Sequence, residues 1–350
     1  MKKFFYTLLF PLALLFAHHP ITAQEAIEIG KTYTIQSKVL NEDRKIQVYL
    51  PAGYNEAQYP NQQYPVIYLL DGESNFNYLT AYLDKLSRYP YPSIPEMIIV
   101  GVINTNRTRD LTPTKVSSEE MSTEQAKKIK GENGGNDAFF KFLKEEVFTY
   151  VDTNYRTLDY KILIGHSFGG ITALNNLLNY TDMFNAYIVH DPSIWWDNKV
   201  ILREYTDGIN QDFKHRRLFL TQVGESENKG HLSDHYSSIK EFDKLLSTNT
   251  PTTLSYQYVA YEGEDHGSIA LKGNLDGLRY IFDGYRINFK ELKTNPTLLE
   301  ETFDQLNKQM HYDFKPTEKF LDTVIKYFTS TGDNETANQV TKYKNTLYKK

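Results

Sequence analysis

Residues 160–175, with the sequence YKILIGHSFGGITALN, combine an apolar run, a serine flanked by glycines and a helix-like pattern. A G-x-S-x-G motif at a strand-to-helix corner is typical of a nucleophile elbow, because only small neighbours let the backbone turn sharply enough to expose the hydroxyl. A tight turn that merely needs glycines would have the same letters. Ser167 is therefore the candidate nucleophile, and the elements around it test that prediction.

The chain around this motif alternates between strand-like and helix-like patterns. Strand-like runs occupy residues 44–51, 64–72, 96–104, 161–167, 186–193, 217–227 and 254–266. Most are continuously apolar, which indicates strands buried on both faces of a parallel sheet. Helical periodicity fills intervals such as 136–155 and 231–247. The pattern predicts an α/β fold with a doubly wound, mostly parallel sheet, whose ligand crevice lies at the carboxyl ends of the strands.

The strand pattern stops near residue 285. Residues 286–350 predict three helices separated by turns, and the last two resemble one degenerate tetratricopeptide-type helix hairpin. A single such hairpin cannot form a solenoid, so we predict a domain at 24–285 followed by a helical extension at 286–350.

The amino terminus predicts export. Residues 1–23 have two lysines, an apolar run interrupted by Pro11 and a small residue at Ala23, which is the layout of a cleavable signal peptide. The chain has no cysteine, which excludes disulfides, a thiol nucleophile and a lipid-anchored lipoprotein. We therefore expect a periplasmic or secreted protein that is not inserted in the membrane after cleavage.

The charge balance restricts the partners. The formal net charge is −5, and removal of Lys2 and Lys3 makes it more negative. This argues against nucleic acid and anionic membrane surfaces as partners. If Ser167 is a nucleophile, the expected partner is a small-molecule or glycan-linked ester, and no cofactor is expected.

His266 is the best candidate for the base that activates Ser167. It follows the last strand-like run and precedes Gly267, where a loop can hold an imidazole over the sheet edge. The chain order serine, acid, histidine also fits. The other histidines lie in the leader, in helices, in the elbow or beside strands.

The orienting acid has several candidates. Glu225 and Glu227 follow one strand-like run, and Asp191 follows the preceding one. The usual order in serine hydrolases favours the glutamates, and Asp191 stays an alternative. The oxyanion needs two N–H donors, which we expect from Phe168, directly after the serine, and from the loop at Gly72 and Glu73.

An extended resemblance adds to these motifs. The segments VIYLLDGESNF, VGVINTNRTRDLTP, GHSFGG and DPSIWWDN occur in the order found in the Putative esterase family, the esterase D and siderophore-esterase-like branch of the α/β-hydrolases. The resemblance covers roughly residues 30–285. It implies an α/β-hydrolase fold and a serine esterase, and its G-E-x-E acid position matches Gly224 to Glu227, which implies Glu227 as the acid. His190 and Asp191 depart from the small residues usual at their positions.

Other residues are candidates for the substrate pocket. Trp195 and Trp196 follow a strand and could form aromatic walls, whereas Arg107 could bind an anionic substrate or pair with Asp110. His231 and His235 have helical spacing but lack the glutamate of a metalloprotease motif, so no metal site is expected.

We therefore expect an exported serine ester hydrolase, siderophore-esterase-like, that works through an acyl-enzyme. A feruloyl or acetyl carbohydrate esterase, or an acyltransferase, would use the same residues. A binding protein on a hydrolase scaffold is the alternative outside the enzymes, and an intact serine, histidine and elbow argue against it.

Overall fold

The computed structural model describes residues 26–117, 129, 131–224 and 234–348. In this part of the chain, eight strands form one sheet in the order β1-β2-β4-β3-β5-β6-β7-β8. The strands are β1 (Lys31–Ser37), β2 (Glu42–Tyr49), β3 (Tyr64–Leu69), β4 (Ile98–Val102), β5 (Thr157–His166), β6 (Ala186–His190), β7 (Arg216–Val223) and β8 (Leu254–Tyr261). β2 runs antiparallel to β1 and β4, and the pairings from β4 through β8 are parallel.

The predicted fold class is confirmed. β3 and β4 are buried along their whole length, as their continuous apolar runs predict, and β8 is half-buried at the sheet edge, as its alternation predicts. β1 was not predicted. Its sequence, KTYTIQS, alternates at the opposite edge of the sheet, where one face is solvated.

Helices cover both faces of the sheet. They are α1 (Gly72–Leu86), α2 (Arg107–Asp110), α3 (Asn136–Phe142), α4 (Phe148–Asn154), α5 (Phe168–Asn179), α6 (Trp196–Gly208), α7 (Asp234–Thr248) and α8 (Ile269–Ile281). A π-helical turn at Leu143–Val147 joins α3 to α4.

Two buried clusters lie on opposite faces of the sheet. Tyr68 of β3 points into the cluster that contains α3, α5, α6 and α7, whereas Leu69 points into the cluster that contains α1 and α8. Successive strand residues face opposite sides, so both clusters need apolar residues from the same strands.

The helices after residue 286 pack on the α1 and α8 face. They are α9 (Phe289–Leu292), α10 (Leu298–Met310), α11 (Glu318–Ser330) and α12 (Asn334–Leu347). Their apolar residues belong to the same buried cluster as β3 and α1. The short α9 comes before the three helices that the sequence predicts, and α11 and α12 pack together across a short turn.

The order of the strands creates the crevice. β3 pairs with β4 on one side and with β5 on the other, so the chain changes direction across the sheet between β3 and β5. Ligands of doubly wound sheets bind at such switch points. Gly72 follows β3 and Ser167 follows β5. In the described residues, no helix has the length and apolar character needed to cross a bilayer.

Candidate active site

Ser167 occupies a strained corner between β5 and α5. Its φ of 58° and ψ of −112° lie in a region that residues with a side chain rarely adopt. A Cβ at Gly165 would collide with the carbonyl oxygen of Gly169, and one at Gly170 would lie 2.9 Å from Cβ of Pro192. The glycines are therefore required by close backbone approach, as in a nucleophile elbow.

The ends of β5, β6 and β7 are tied together beside Ser167. The amide of Ser167 donates to the carbonyl oxygen of His190 (3.0 Å), and the amide of Asp191 donates to that of Thr221 (2.8 Å). His166, His190 and Thr221 are aligned in register across the three strands. Ser167 and Asp191 therefore leave the sheet at the same edge.

Asp191 is bound by the imidazole of His266. His266 Nδ1 lies 2.6 Å from Asp191 Oδ2, and the carboxylate side chain is 3% exposed whereas His266 is 50% exposed. Burial alone would raise the pKa of Asp191, but hydrogen bonds from His235 and His266 outweigh it and hold this pKa well below the ordinary value. Asp191 is therefore ionised and determines which nitrogen of His266 carries the proton.

A second imidazole contacts the same carboxylate oxygen. His235, in the first turn of α7, places Nε2 2.9 Å from Asp191 Oδ2. Its ring lies 5.2 Å from that of His266, nearly perpendicular to it. In the sequence, His235 stands out only for its spacing from His231, and no local pattern indicates that α7 begins over the end of β6.

The glutamates favoured by the sequence cannot be compared directly with Asp191. Glu225, Glu227 and His231 lie outside the described residues, so Glu227 as the acid stays a prediction. The described geometry supports the alternative, because Asp191 holds a hydrogen bond with His266.

The hydroxyl of Ser167 has Ser193 as its hydrogen-bond partner among the described side chains. The two Oγ atoms are 3.2 Å apart, and the amide of Ser193 donates to the carbonyl oxygen of Ser167. His266 lies nearby, with its ring 4.4 Å from that of His166, the residue before the serine. No sequence motif singles out Ser193, which is buried beside the elbow.

The expected oxyanion donors begin two helices at this edge. Phe168 is the first residue of α5, and Gly72 and Glu73 begin α1, so their amides have no carbonyl partner within the helix. The loops are adjacent, since a Cβ at Gly169 would lie 3.4 Å from Asp71 Oδ2. The two loops are therefore neighbours, and their amides as oxyanion donors stay a prediction.

A comparison with known protein families identifies the family to which the chain belongs. A family model described as "Putative esterase" matches residues 37–261, which is more than half of the chain. The chain belongs to this esterase family.

Relatives of this esterase include siderophore esterases. Ferri-bacillibactin esterase BesA of Bacillus subtilis (strain 168) is 28% identical over 222 residues, which cover 60% of this chain and 76% of that protein. The siderophore triacetylfusarinine C esterase of Aspergillus fumigatus is 26% identical over 262 residues, covering 69% and 89%. The crystal structure of an IroE-like serine hydrolase from Shewanella oneidensis superposes with a TM-score of 0.81 at 28% identity, covering 91% and 100%. The esterase is thus siderophore-esterase-like.

Arg107 of the esterase holds the two loops of the crevice together. Its guanidinium donates to both carboxylate oxygens of Asp71 (2.6 and 2.9 Å) and to the carbonyl oxygen of His166 (3.3 Å). The partner that the sequence suggested, Asp110, is instead paired with Arg109. Arg107 therefore already has an anionic partner in the protein.

The two tryptophans are core residues rather than open pocket walls. Trp196 is completely buried, and its indole N–H donates to the backbone oxygen and hydroxyl of Thr114. Trp195 is 6% exposed and packs against Trp196 and Phe168. Trp195 and Trp196 as substrate contacts stay predictions, and the burial of both rings with Ile194 in the core argues against them.

Two further histidines lie under the site as neutral groups. His190 is completely buried, with its ring nitrogens 3.0 Å from Thr221 Oγ1 and 2.9 Å from Asn274 Oδ1. Burial lowers the pKa of His190 to about 4 and that of His166 to about 3. Neither is suited to accept a proton from Ser167 near neutral pH.

Proposed function

We propose that this esterase is an exported serine hydrolase that cleaves ester-linked siderophores through an acyl-enzyme. The observation that carries the mechanism is the hydrogen bond from His266 to the buried carboxylate of Asp191 beside the strained elbow of Ser167. An acid, an imidazole and a half-buried serine hydroxyl at one sheet edge are the parts that acyl transfer by serine requires.

The imidazole has the tautomer of a general base. With its proton on Nδ1, facing Asp191, His266 keeps a lone pair on Nε2. In the proposed mechanism the hydroxyl of Ser167 turns from Ser193 toward this nitrogen when substrate binds. Apo structures of hydrolases often show such contacts only loosely formed.

The reaction then follows two acyl-transfer steps. Ser167 Oγ attacks the ester carbonyl carbon as its proton passes to His266, and the amides of Phe168 and the Gly72–Glu73 loop stabilise the oxyanion. Asp191 stabilises the imidazolium that forms. The proton moves from His266 to the leaving alcohol. A water molecule, deprotonated by the same imidazole, then attacks the acyl carbon, and His266 returns the proton to Ser167 Oγ as the acid product is released.

The assignment to siderophores follows from the relatives. Two of them are named as esterases of bacillibactin and of triacetylfusarinine C, which are siderophores. The experiment is a hydrolysis panel on the mature protein with a ferric trilactone siderophore, a feruloyl ester, acetylated xylan and p-nitrophenyl butyrate. We expect the siderophore to have the highest kcat/KM. A higher value on the feruloyl or acetyl ester would replace the substrate class without changing the mechanism.

A matched variant tests the enzyme itself. Ser167→Ala should lower kcat on every ester by about 10⁴-fold or more, because the acyl-enzyme cannot form. The wild type failing to cleave any ester would favour a binding protein.

Export is proposed from residues 1–23, which have the composition of a signal peptide. Cell fractionation with amino-terminal sequencing should find the mature chain outside the cytoplasm and beginning after Ala23. An intact amino terminus in the cytoplasmic fraction would contradict export.

A further inference from the structure

The structure shows a cluster that a hydrolase triad does not need. Triads join one imidazole to one carboxylate, whereas here Asp191 Oδ2 contacts both His266 Nδ1 at 2.6 Å and His235 Nε2 at 2.9 Å. The three ligand atoms lie within 4.8 Å of one another. We propose that Asp191, His235 and His266 bind one Zn²⁺ ion, and that the bound ion switches the esterase off.

The ligand set suits zinc. Two imidazoles and one carboxylate, with an open fourth position for water, are the ligands of many tetrahedral zinc centres. Zinc bonds of about 2.0–2.2 Å place tetrahedral ligand atoms about 3.3 Å apart. The atoms of this cluster therefore need shifts of the order of 1 Å to admit the ion.

The site combines a buried charge with an open side. Asp191 is 3% exposed and ionised, and it supplies a fixed negative charge, whereas the side chains of His235 and His266 are 23% and 50% exposed. A cation can thus approach from the imidazole side, where His266 is the more exposed of the two imidazoles. Calcium and magnesium prefer sets of six or more oxygen ligands, which this cluster does not supply.

A bound zinc ion would block catalysis because it changes the tautomer of His266. A neutral imidazole carries one proton, which in the free enzyme lies on Nδ1 and faces Asp191. Zinc binds the lone pair of Nδ1 of His266, so the proton of this imidazole moves to Nε2. On His235 zinc binds Nε2, and the proton moves to Nδ1. Neither imidazole loses its proton. Nε2 of His266 then donates instead of accepting, and it cannot take the proton of Ser167. This consequence rests on the proposed function, whereas zinc binding does not.

The first experiment measures inhibition. Zinc-free enzyme is assayed on p-nitrophenyl butyrate over a range of buffered free Zn²⁺, and each rate is divided by that variant's own zinc-free rate. We expect inhibition of the wild type that EDTA reverses, and none with Ca²⁺ or Mg²⁺. His235→Ala should raise the half-inhibiting zinc concentration about tenfold or more, because it removes one ligand. His311→Ala is the matched control, since His311 directly follows α10 and its ring stacks on His215 rather than on the cluster. This variant should respond as the wild type does.

The second experiment does not depend on turnover. Ser167→Ala, dialysed against free zinc at a concentration between the half-inhibiting values of the wild type and His235→Ala, should hold close to one ion per chain by elemental analysis, and Ser167→Ala with His235→Ala should hold less than half an ion per chain. If Ser167→Ala binds no zinc, or if His235→Ala is inhibited at the same zinc concentration as the wild type, the site is overturned. An inactive wild type that binds zinc through His235 would contradict the proposed esterase mechanism and leave the metal site standing.

Discussion

At the scale of single residues, the carboxylate of Asp191 distinguishes this site. Sequence order could place Ser167 and His266 at strand ends because each motif is local. The choice of carboxylate could not be made this way, because it depends on the path of the loop after β6. Asp191 has a φ of 41°, and this left-handed turn directs the side chain toward His266. The contact of His235 with Asp191 could not be predicted from the sequence either, because only tertiary packing brings α7 over that turn.

The acid is tested by comparing two conservative variants. Asp191→Asn should lower kcat about a thousandfold, because an amide neither fixes the His266 tautomer nor stabilises the imidazolium. Glu227→Gln should change kcat by less than about threefold, and His266→Ala should be at least as damaging as Asp191→Asn. Steady-state kinetics on p-nitrophenyl butyrate measures all three. A silent Asp191→Asn with a damaging Glu227→Gln would place the acid after β7, as the family resemblance implies.

Arg107 is expected to act by positioning the loops. Because its guanidinium joins Asp71 to the backbone of the elbow, Arg107→Gln should lower kcat about tenfold with little change in KM. Arg203→Gln, an exposed arginine on α6, serves as control. An increase in KM at unchanged kcat would show instead that Arg107 binds an anionic part of the substrate.

At the scale of elements, the strands under the site end in two neutral histidines, the half-buried His166 and the buried His190. Periodicity could predict the strands but not their register, which aligns His166, His190 and Thr221. Sequence also could not predict the burial of Trp195 and Trp196. Their position in a loop suggested a pocket wall, whereas the turn at Ile194 places both rings in the core.

His190 makes stability depend on pH. The pKa of His190 is about 4 in the folded protein and about 6.5 in the unfolded chain. Between these pH values the unfolded chain therefore binds more protons, and the unfolding free energy falls as the pH decreases. From pH 7 to pH 4.5, His190 should account for about 2 to 3 kcal/mol of lost unfolding free energy. Urea denaturation of the wild type and His190→Gln at both pH values measures this. The variant should be less stable at pH 7 but lose less on acidification, and equal losses would contradict the argument.

At the scale of the whole molecule, the carboxyl-terminal helices share a core with the sheet. Tyr160 of β5 is completely buried and packs against Tyr312 and Phe314. Lys319 on α11 pairs with Glu56 (2.8 Å) and Glu96 (3.1 Å). The family match ends at residue 261, before these helices begin. The sequence predicted helices here, but their amphipathic pattern could not show which face of the sheet they cover.

Removing the Lys319 ion pairs tests this packing. Its side chain is 13% exposed and that of Glu96 is 7% exposed, so Lys319→Met leaves a nearly buried carboxylate without its cation. The unfolding free energy should fall by about 2 kcal/mol or more. Lys326→Met, exposed on the same helix, should be within about 0.5 kcal/mol of the wild type. Equal stability of the two variants would mean that the pairs contribute little to the docking of α11.

An activated serine reacts with electrophiles that ordinary serines resist, so covalent labelling of Ser167 separates an esterase from an inactive scaffold. The mature protein is treated with a fluorophosphonate, and the modified peptide is identified by mass spectrometry. We predict one adduct per chain, on Ser167, formed much more slowly in His266→Ala and Asp191→Asn because the hydroxyl then lacks its base or the base its orienting carboxylate. No adduct on Ser167, or labelling at the same rate in His266→Ala, would contradict the account.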